Sequence, residues 1–247
     1  MMHGPIIWHL GNITLNGKTL IMTWIVMAFL IIMSIIASRR LTSGTPGKLQ
    51  NFLEWIVDFV KSLISDNMDY KKGAPLLSYL LTLIVFIFFS NILGLIPNVF
   101  APLFHWIEFA QLNEILGDVL IASPTADINT TLALATLTVI LVLVSGIRYK
   151  GIHYFHHFIE PIPVFLPIHL IDFGAKLMTL AFRLFGNIYA GEVLIAAMLM
   201  IPGFLVAGTL IPMPVWLGFS VFIGAIQSFV FTVLTIAYIS QAVTSDS

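Results

Sequence analysis

The stretch Pro167–Ile201, PIHLIDFGAKLMTLAFRLFGNIYAGEVLIAAMLMI, is apolar along most of its length yet carries Asp172, Lys176, Arg183 and Glu192. A helix that crosses a bilayer needs roughly 20 mostly apolar residues, and this segment exceeds that before Pro202 and Gly203 break it. At about 100° per residue, His169, Asp172, Lys176, Arg183 and Asn187 fall on one face, within roughly 120° of one another. Glu192, nine residues after Arg183, points to the opposite side. A centrally placed charge costs about 2.5 to 3.5 kcal/mol on insertion scales, and the default reading of such groups is an ion path or a charge partner. Four of them are a heavy burden for a helix that only anchors a domain.

The rest of the chain places this segment in a membrane. Of the 247 residues 59% are hydrophobic and 9% charged, against about 25% charged in a soluble domain. A net charge of −1 argues against nucleic acid, which requires clustered Lys and Arg. With no cysteine, disulfide scaffolds and cysteine-based sites are excluded. The N-terminus has neither the basic region nor the cleavage site of a signal peptide, so the first apolar stretch is expected to be a permanent span. The spans are expected at Thr19–Ser38, at Pro75 to about Pro97, at Ile128–Ile147, at about Pro167–Ile201 and at about Val215–Ala242. The last two regions read as long helices joined by a Pro/Gly turn, a terminal hairpin over 167–242. The expected fold is therefore all-α and polytopic, one domain over 1–247 with five transmembrane helices.

Basic residues set the orientation. Arg39, Arg40, Lys48, Lys61, Lys71 and Lys72 lie in the connection 39–72, and Arg148 and Lys150 open the connection 148–160. The connection 98–127 holds Glu108, Glu114, Asp118 and Asp127 without Lys or Arg. The positive-inside rule makes the first two cytoplasmic and the third an outside loop. The segment 1–18 and the N-terminus then lie outside and the C-terminus inside, with Lys18 the single exception. Between 47 and 66, Leu49, Phe52, Leu53, Ile56, Val60, Leu63 and Ile64 follow a helical period opposite Glu54, Asp58 and Lys61, an amphipathic helix for the membrane surface or a partner helix.

Asp172 and Lys176 are four apart and can neutralise each other. Arg183 has no acid three or four positions away, and no other span has an acid in its interior, so its carboxylate partner is expected on a different subunit. Arginine does not pass protons on. It attracts a carboxylate and favours its ionised form. Proton exchange falls to the acids and His169, supported by Asn187 and Gln227.

Arg183-Leu-Phe-Gly-Asn187-Ile-Tyr-Ala-Gly-Glu192 resembles the signature of F-type ATP synthase subunit a. Gly218-Phe-Ser-Val-Phe-Ile-Gly-Ala-Ile-Gln227 resembles that family's second signature, and Ser90-Asn91-Ile-Leu-Gly-Leu-Ile-Pro97 and Ser123-Pro-Thr-Ala-Asp127-Ile-Asn129-Thr-Thr are similar to further family stretches. The match runs in order along nearly the whole chain. The resemblance implies an ion-translocating stator subunit, not an enzyme on its own, with its terminal hairpin against a ring of c subunits and with peripheral-stalk b subunits as partners. It implies two aqueous half-channels separated by Arg183, which pairs with the ring carboxylate. Asn187, Glu192 and Gln227 match the polar path beside the arginine, and Asn91 and Asp127 match positions near the outer entrance. His169, Asp172 and Lys176 match a part of the helix where family members vary, so their half-channel stays open. The ion is H+ or Na+, which the ring carboxylate's surroundings decide. The expected location is a bacterial plasma membrane, with the chloroplast thylakoid as the alternative.

Other readings find less support. A self-contained secondary transporter would show repeated halves or matched helix breaks, and neither is visible. An intramembrane hydrolase lacks HExxH, GxSxG and a cysteine nucleophile. Gly11 and Gly17 stand one residue further apart than a phosphate loop requires, so no nucleotide is expected there. His153, His156 and His157 lack acids in ligand register, so neither a metal nor a cofactor is expected.

Overall fold

In the computed structural model, which describes residues 7–10, 13–39, 47–93, 123–151, 166–199 and 212–244, each long apolar segment is a helix. Strands β1 (Ile7–Leu10) and β2 (Ile13–Asn16) pair antiparallel, with Ile7 opposite Asn16 and Leu10 opposite Ile13. Helix α1 spans Gly17–Arg39 and α2 spans Lys48–Asn67. A single turn α3 (Tyr70–Gly73) leads through a 3-10 turn at Ala74–Leu76 into α4 (Leu77–Leu93). Another 3-10 turn, Pro124–Ala126, precedes α5 (Ile128–Lys150). Helices α6 (Leu166–Leu199) and α7 (Pro212–Val243) complete the order.

The short hairpin is an addition to an otherwise helical fold. The run 7–16 is too short to span, and pairing lets its backbone groups satisfy one another. Among the described residues, four helical stretches are long and apolar enough to cross a membrane: Gly17–Arg39, Tyr70–Leu93, Ile128–Lys150 and Pro214–Val243. The 34-residue α6 is not among these four. Pro75 sits in the 3-10 turn just before α4, where a missing N–H costs nothing. Pro97, most of the loop 98–127, the turn at Pro202 and Gly203, and His153, His156 and His157 lie outside the described residues.

The chain forms two compact units, and the divisions fall inside the long helices. The first comprises Met1–Ile35, Phe86–Thr130 and Leu184–Gln227. Within it α1 meets α4 through Phe29 and Phe89, whose ring centroids are 5.0 Å apart. Met22, Val26, Ile87, Leu184 and Ile188 are buried there together with Ser90, Asn91, Ser123, Thr125, Ser220 and Gln227. The second comprises Ile36–Val85, Thr131–Arg183 and Ser228–Ser247. Its core is apolar: Val60 and Ile64 of α2 pack with Leu80 of α4 and Ile236 of α7, and Val142 of α5 packs with Ile239, Ala242 and Val243. Tyr79 and Thr138 join α4 to α5 at 3.1 Å, and the Ser240 hydroxyl donates to the Asn67 carbonyl, joining α7 to α2.

Side chains are distributed inside out relative to a protein in water. Ile31, Ile32, Ile140, Val144, Ile171, Phe182, Val215 and Phe222 are exposed, whereas Asn91, Thr125, Thr131, Thr138, Thr232 and Thr235 are fully buried. Lipid is as apolar as leucine, so helices in a bilayer gain little from burying large apolar groups and associate through small and hydrogen-bonding residues. The Thr232 and Thr235 hydroxyls donate to carbonyls four residues back, which satisfies them inside the helix.

Candidate functional site

Helix α6 presents the charged residues in three different settings. Lys176 pairs with Asp172 at 2.9 Å, one turn apart, and the pair is partly exposed. Lys176 also lies 3.5 Å from Gln241 and 5.4 Å from the centre of the Tyr238 ring, so its ammonium is shared with α7. Arg183 is exposed, and no hydrogen bond or ion pair holds it among the described residues. Glu192 is half-buried, and its carboxylate accepts the main-chain N–H of Ser123 at 2.7 Å. His169 belongs to the helix, and its side chain lies outside the described residues.

Gln227 is buried in α7, and its carbonyl oxygen accepts from Asn187 of α6 at 3.0 Å. The sequence leads one to expect Gln227 and Glu192, two polar groups in apolar helices, close together across the terminal hairpin and bordering water. In the structure the hydrogen-bond partner of Gln227 is Asn187 and that of Glu192 is Ser123. The Gln227 amide nitrogen, together with the hydroxyls of Ser90 and Ser220 and the Trp216 ring nitrogen, is buried without a protein partner among the described residues. A buried amide or hydroxyl without a hydrogen bond costs about 1 to 3 kcal/mol, so these atoms, all in the first unit, fit contact with water.

Asn91 and Asp127 occupy the same unit and serve different geometry. Asn91 is fully buried; its amide donates to the Gly224 carbonyl of α7 at 3.1 Å, and its carbonyl accepts from the Thr125 hydroxyl at 2.7 Å. Gly224 permits this approach, since a Cβ there would stand 3.2 Å from the Asn91 Cβ. Asp127 is saturated. One oxygen accepts from Asn16 (3.1 Å) and Thr19 (2.8 Å), and the other accepts from the N–H (2.9 Å) and side-chain amide (3.1 Å) of Asn129. It caps α5 and ties it to the start of α1.

Ser90, Ser123, Thr125 and Gly224 carry no individual signal of a site in the sequence. All four are visible only as members of resembling motifs, with Gly224 also in the small-residue spacing Ser220, Gly224, Ser228. Chemically, the described residues offer a fixed cation, a half-buried carboxylate that can take and release a proton, and, in the first unit, buried polar groups.

A family model described as ATP synthase A chain matches residues 20–240. Over 246 aligned residues the chain is 38% identical to the ATP synthase subunit a of Priestia megaterium, covering 98% of each. It is 38% identical over 237 residues to that of Desulforamulus reducens, covering 95% of this chain and 82% of the relative. It is 36% identical over 260 aligned residues to that of Bacillus subtilis, covering the whole of both. With its apolar helices, its charged α6 and identity along nearly its full length, this chain belongs to the ATP synthase A chain family.

Proposed function

We propose that this chain is the ion-conducting stator subunit of a rotary F-type ATP synthase, working against a ring of c subunits and braced by the b subunits of the peripheral stalk. The single observation that carries this reading is the setting of Arg183. Asp172 and Lys176 neutralise each other and Glu192 holds a backbone N–H, yet Arg183 stands exposed without an acid among the described residues. A cation kept in an apolar helix without an internal partner is matched by one that comes and goes. A carboxylate on a passing ring subunit fits that requirement.

In this mechanism two half-channels reach the ring from opposite sides. Arg183 separates them by repelling protons and by keeping the adjacent ring carboxylate ionised. Glu192, Gln227 and Asn187 line the path beside Arg183, with Asn91 and Asp127 near the outer entrance. His169, Asp172 and Lys176 belong to the path on the same helix, in one half-channel or the other. The translocated ion is H+, with Na+ as the alternative.

This function needs five crossings: α6 spans with the other four, its charges tolerated because they face water, the ring or one another. The N-terminus is then outside, the C-terminus cytoplasmic and the terminal hairpin 167–242 against the ring, all within one domain. Helix α2 lies at the cytoplasmic surface of a bacterial plasma membrane, its exposed Phe52 and Trp55 at headgroup level.

The test is proton flux through membrane vesicles with and without the soluble ATPase sector. Arg183→Ala should abolish ATP-driven pumping and leave the stripped membrane passively leaky. Arg183→Lys should also fail to couple, since lysine lacks the planar fork and loses its proton when buried. ATP synthesis at near-normal rates in assembled Arg183→Ala complexes would overturn the reading.

A further inference from the structure

The carboxylate of Glu192 is held by a main-chain group, and that group is held in turn by a chain of buried side chains. Ser123, which donates its N–H to Glu192, sits just before the 3-10 turn Pro124–Ala126. Its carbonyl accepts the Ala126 N–H at 3.0 Å and so starts that turn, while its own N–H is left for Glu192. Its hydroxyl donates to the Ser90 carbonyl of α4 at 2.6 Å and lies 2.7 Å from the Thr125 hydroxyl. Thr125 donates to Asn91, and Asn91 donates to the Gly224 carbonyl of α7. Ser90, Asn91 and Thr125 are fully buried, and Ser123 is 2% exposed.

The proton count makes these bonds interdependent. Two hydroxyl protons, one on Ser123 and one on Thr125, serve three short contacts, and a hydroxyl has a single proton to donate. Asn91 is oriented from its other end: its amide nitrogen must face the Gly224 carbonyl, so its oxygen must face Thr125. Gly224 fixes how near that anchor stands, having no Cβ to push Asn91 away. Removing the Thr125 hydroxyl therefore leaves the Asn91 oxygen buried without its donor and cuts Ser123 off from α7.

We infer that Thr125, with Asn91 and Ser123, is a positioning residue that sets the place of the Glu192 carboxylate relative to α7. None of the three needs to carry the ion. This rests on the reading that Glu192 lies on the ion path.

The test is passive proton flux through vesicles stripped of the soluble sector, in complexes quantified for assembly. Thr125→Val keeps the shape and removes the hydroxyl; it should lower flux about tenfold, within what a misplaced reacting group costs. Thr125→Ser restores the hydroxyl and should recover flux to within about twofold. The decisive measurement is the double-mutant cycle with Glu192→Gln. If Thr125 acts through Glu192, Thr125→Val adds less than about a twofold loss in the Glu192→Gln background. An equal loss in both backgrounds, or wild-type flux in Thr125→Val, overturns the positioning role. Should Thr125→Val fail to assemble, Ser123→Ala, which removes the hydroxyl and keeps the N–H, goes through the same cycle: a loss confined to the Glu192 background supports the role, and an equal loss in both overturns it. Normal flux in Glu192→Gln alone would instead remove Glu192 from the path, and the positioning role with it.

Discussion

Asp127 and Glu192 are both acids in the first unit, and their surroundings give them different work. Asp127 accepts four hydrogen bonds, from Asn16, Thr19 and Asn129. A carboxylate so occupied has no free oxygen lone pair aimed at a channel, and its cap of α5 is worth about 1 kcal/mol. Asp127→Asn should therefore keep proton flux within about twofold, because a capping asparagine is nearly equivalent. Asp127→Ala should lower the thermal stability of the assembled membrane sector by about the value of the cap. Flux in Asp127→Asn falling as far as in Glu192→Gln would show that the charge of Asp127 is used directly. The exposed ion pair of Lys61 with Asp58 on α2 needs no functional reading. The hydrogen bond from Lys61 and the charge of Asp58 hold the ammonium above the usual lysine range, and such surface pairs contribute little to stability.

Among the elements, the passage from α2 to α4 depends on one glycine. The Met68 N–H closes α2 on the Ile64 carbonyl, and Asp69 then caps α3 by accepting from Lys71. This folds the chain back so that Gly73 lies against Ile64 and Met68. A Cβ at Gly73 would run into the Ile64 side chain, which is fully buried in the cluster with Val60, Leu80 and Ile236. Gly73→Ala should therefore destabilise the second unit by about 1 to 3 kcal/mol, the usual cost of overpacking. Reduced protease resistance of the assembled sector would register it, with rescue by Ile64→Val, which shortens the side chain where the Cβ enters. Wild-type resistance in Gly73→Ala would mean that α2 moves away from α4 at no cost.

For the whole molecule the number of crossings sets the side on which the C-terminus lies. Among the described residues four helices qualify by length and apolarity; the proposed function requires α6 as the fifth. The two counts predict different sides for the C-terminus. Cysteines placed at Ser43, Leu112 and Ser245 should react with a membrane-impermeant thiol reagent from inside, outside and inside respectively. The absence of native cysteine makes the labelling unambiguous. Labelling of Leu112 from the cytoplasmic side alone would overturn this topology, and labelling of Ser245 from outside alone would overturn the fifth crossing. The exposed apolar residues of α1, among them Ile31, Ile32, Ile35 and Ile36, agree with a helix whose outer surface meets lipid.

Sequence alone determined the elements whose cause is local composition. The long apolar runs set α1, α4, α5 and α7 to within a few residues of the expected bounds, and the helical period of 47–66 set α2 as a helix. The Asp172–Lys176 pair was equally legible, since residues four apart on a helix must be neighbours. The hairpin at 7–16 has a local signal as well, Gly11-Asn12 between two short runs. That signal is ambiguous, because Gly11, Gly17 and Lys18 also come within one residue of a phosphate-loop spacing. What only the tertiary structure decided was the choice of partners between helices. Polar side chains in apolar helices must find a donor or acceptor, but nothing in the order of residues says which. Gln227 took Asn187 as its hydrogen-bond partner. Glu192 found a backbone N–H from a turn 69 residues earlier in the chain. That pairing depends on where the turn at Ser123 is pinned, and residues from α4 and α7 pin it.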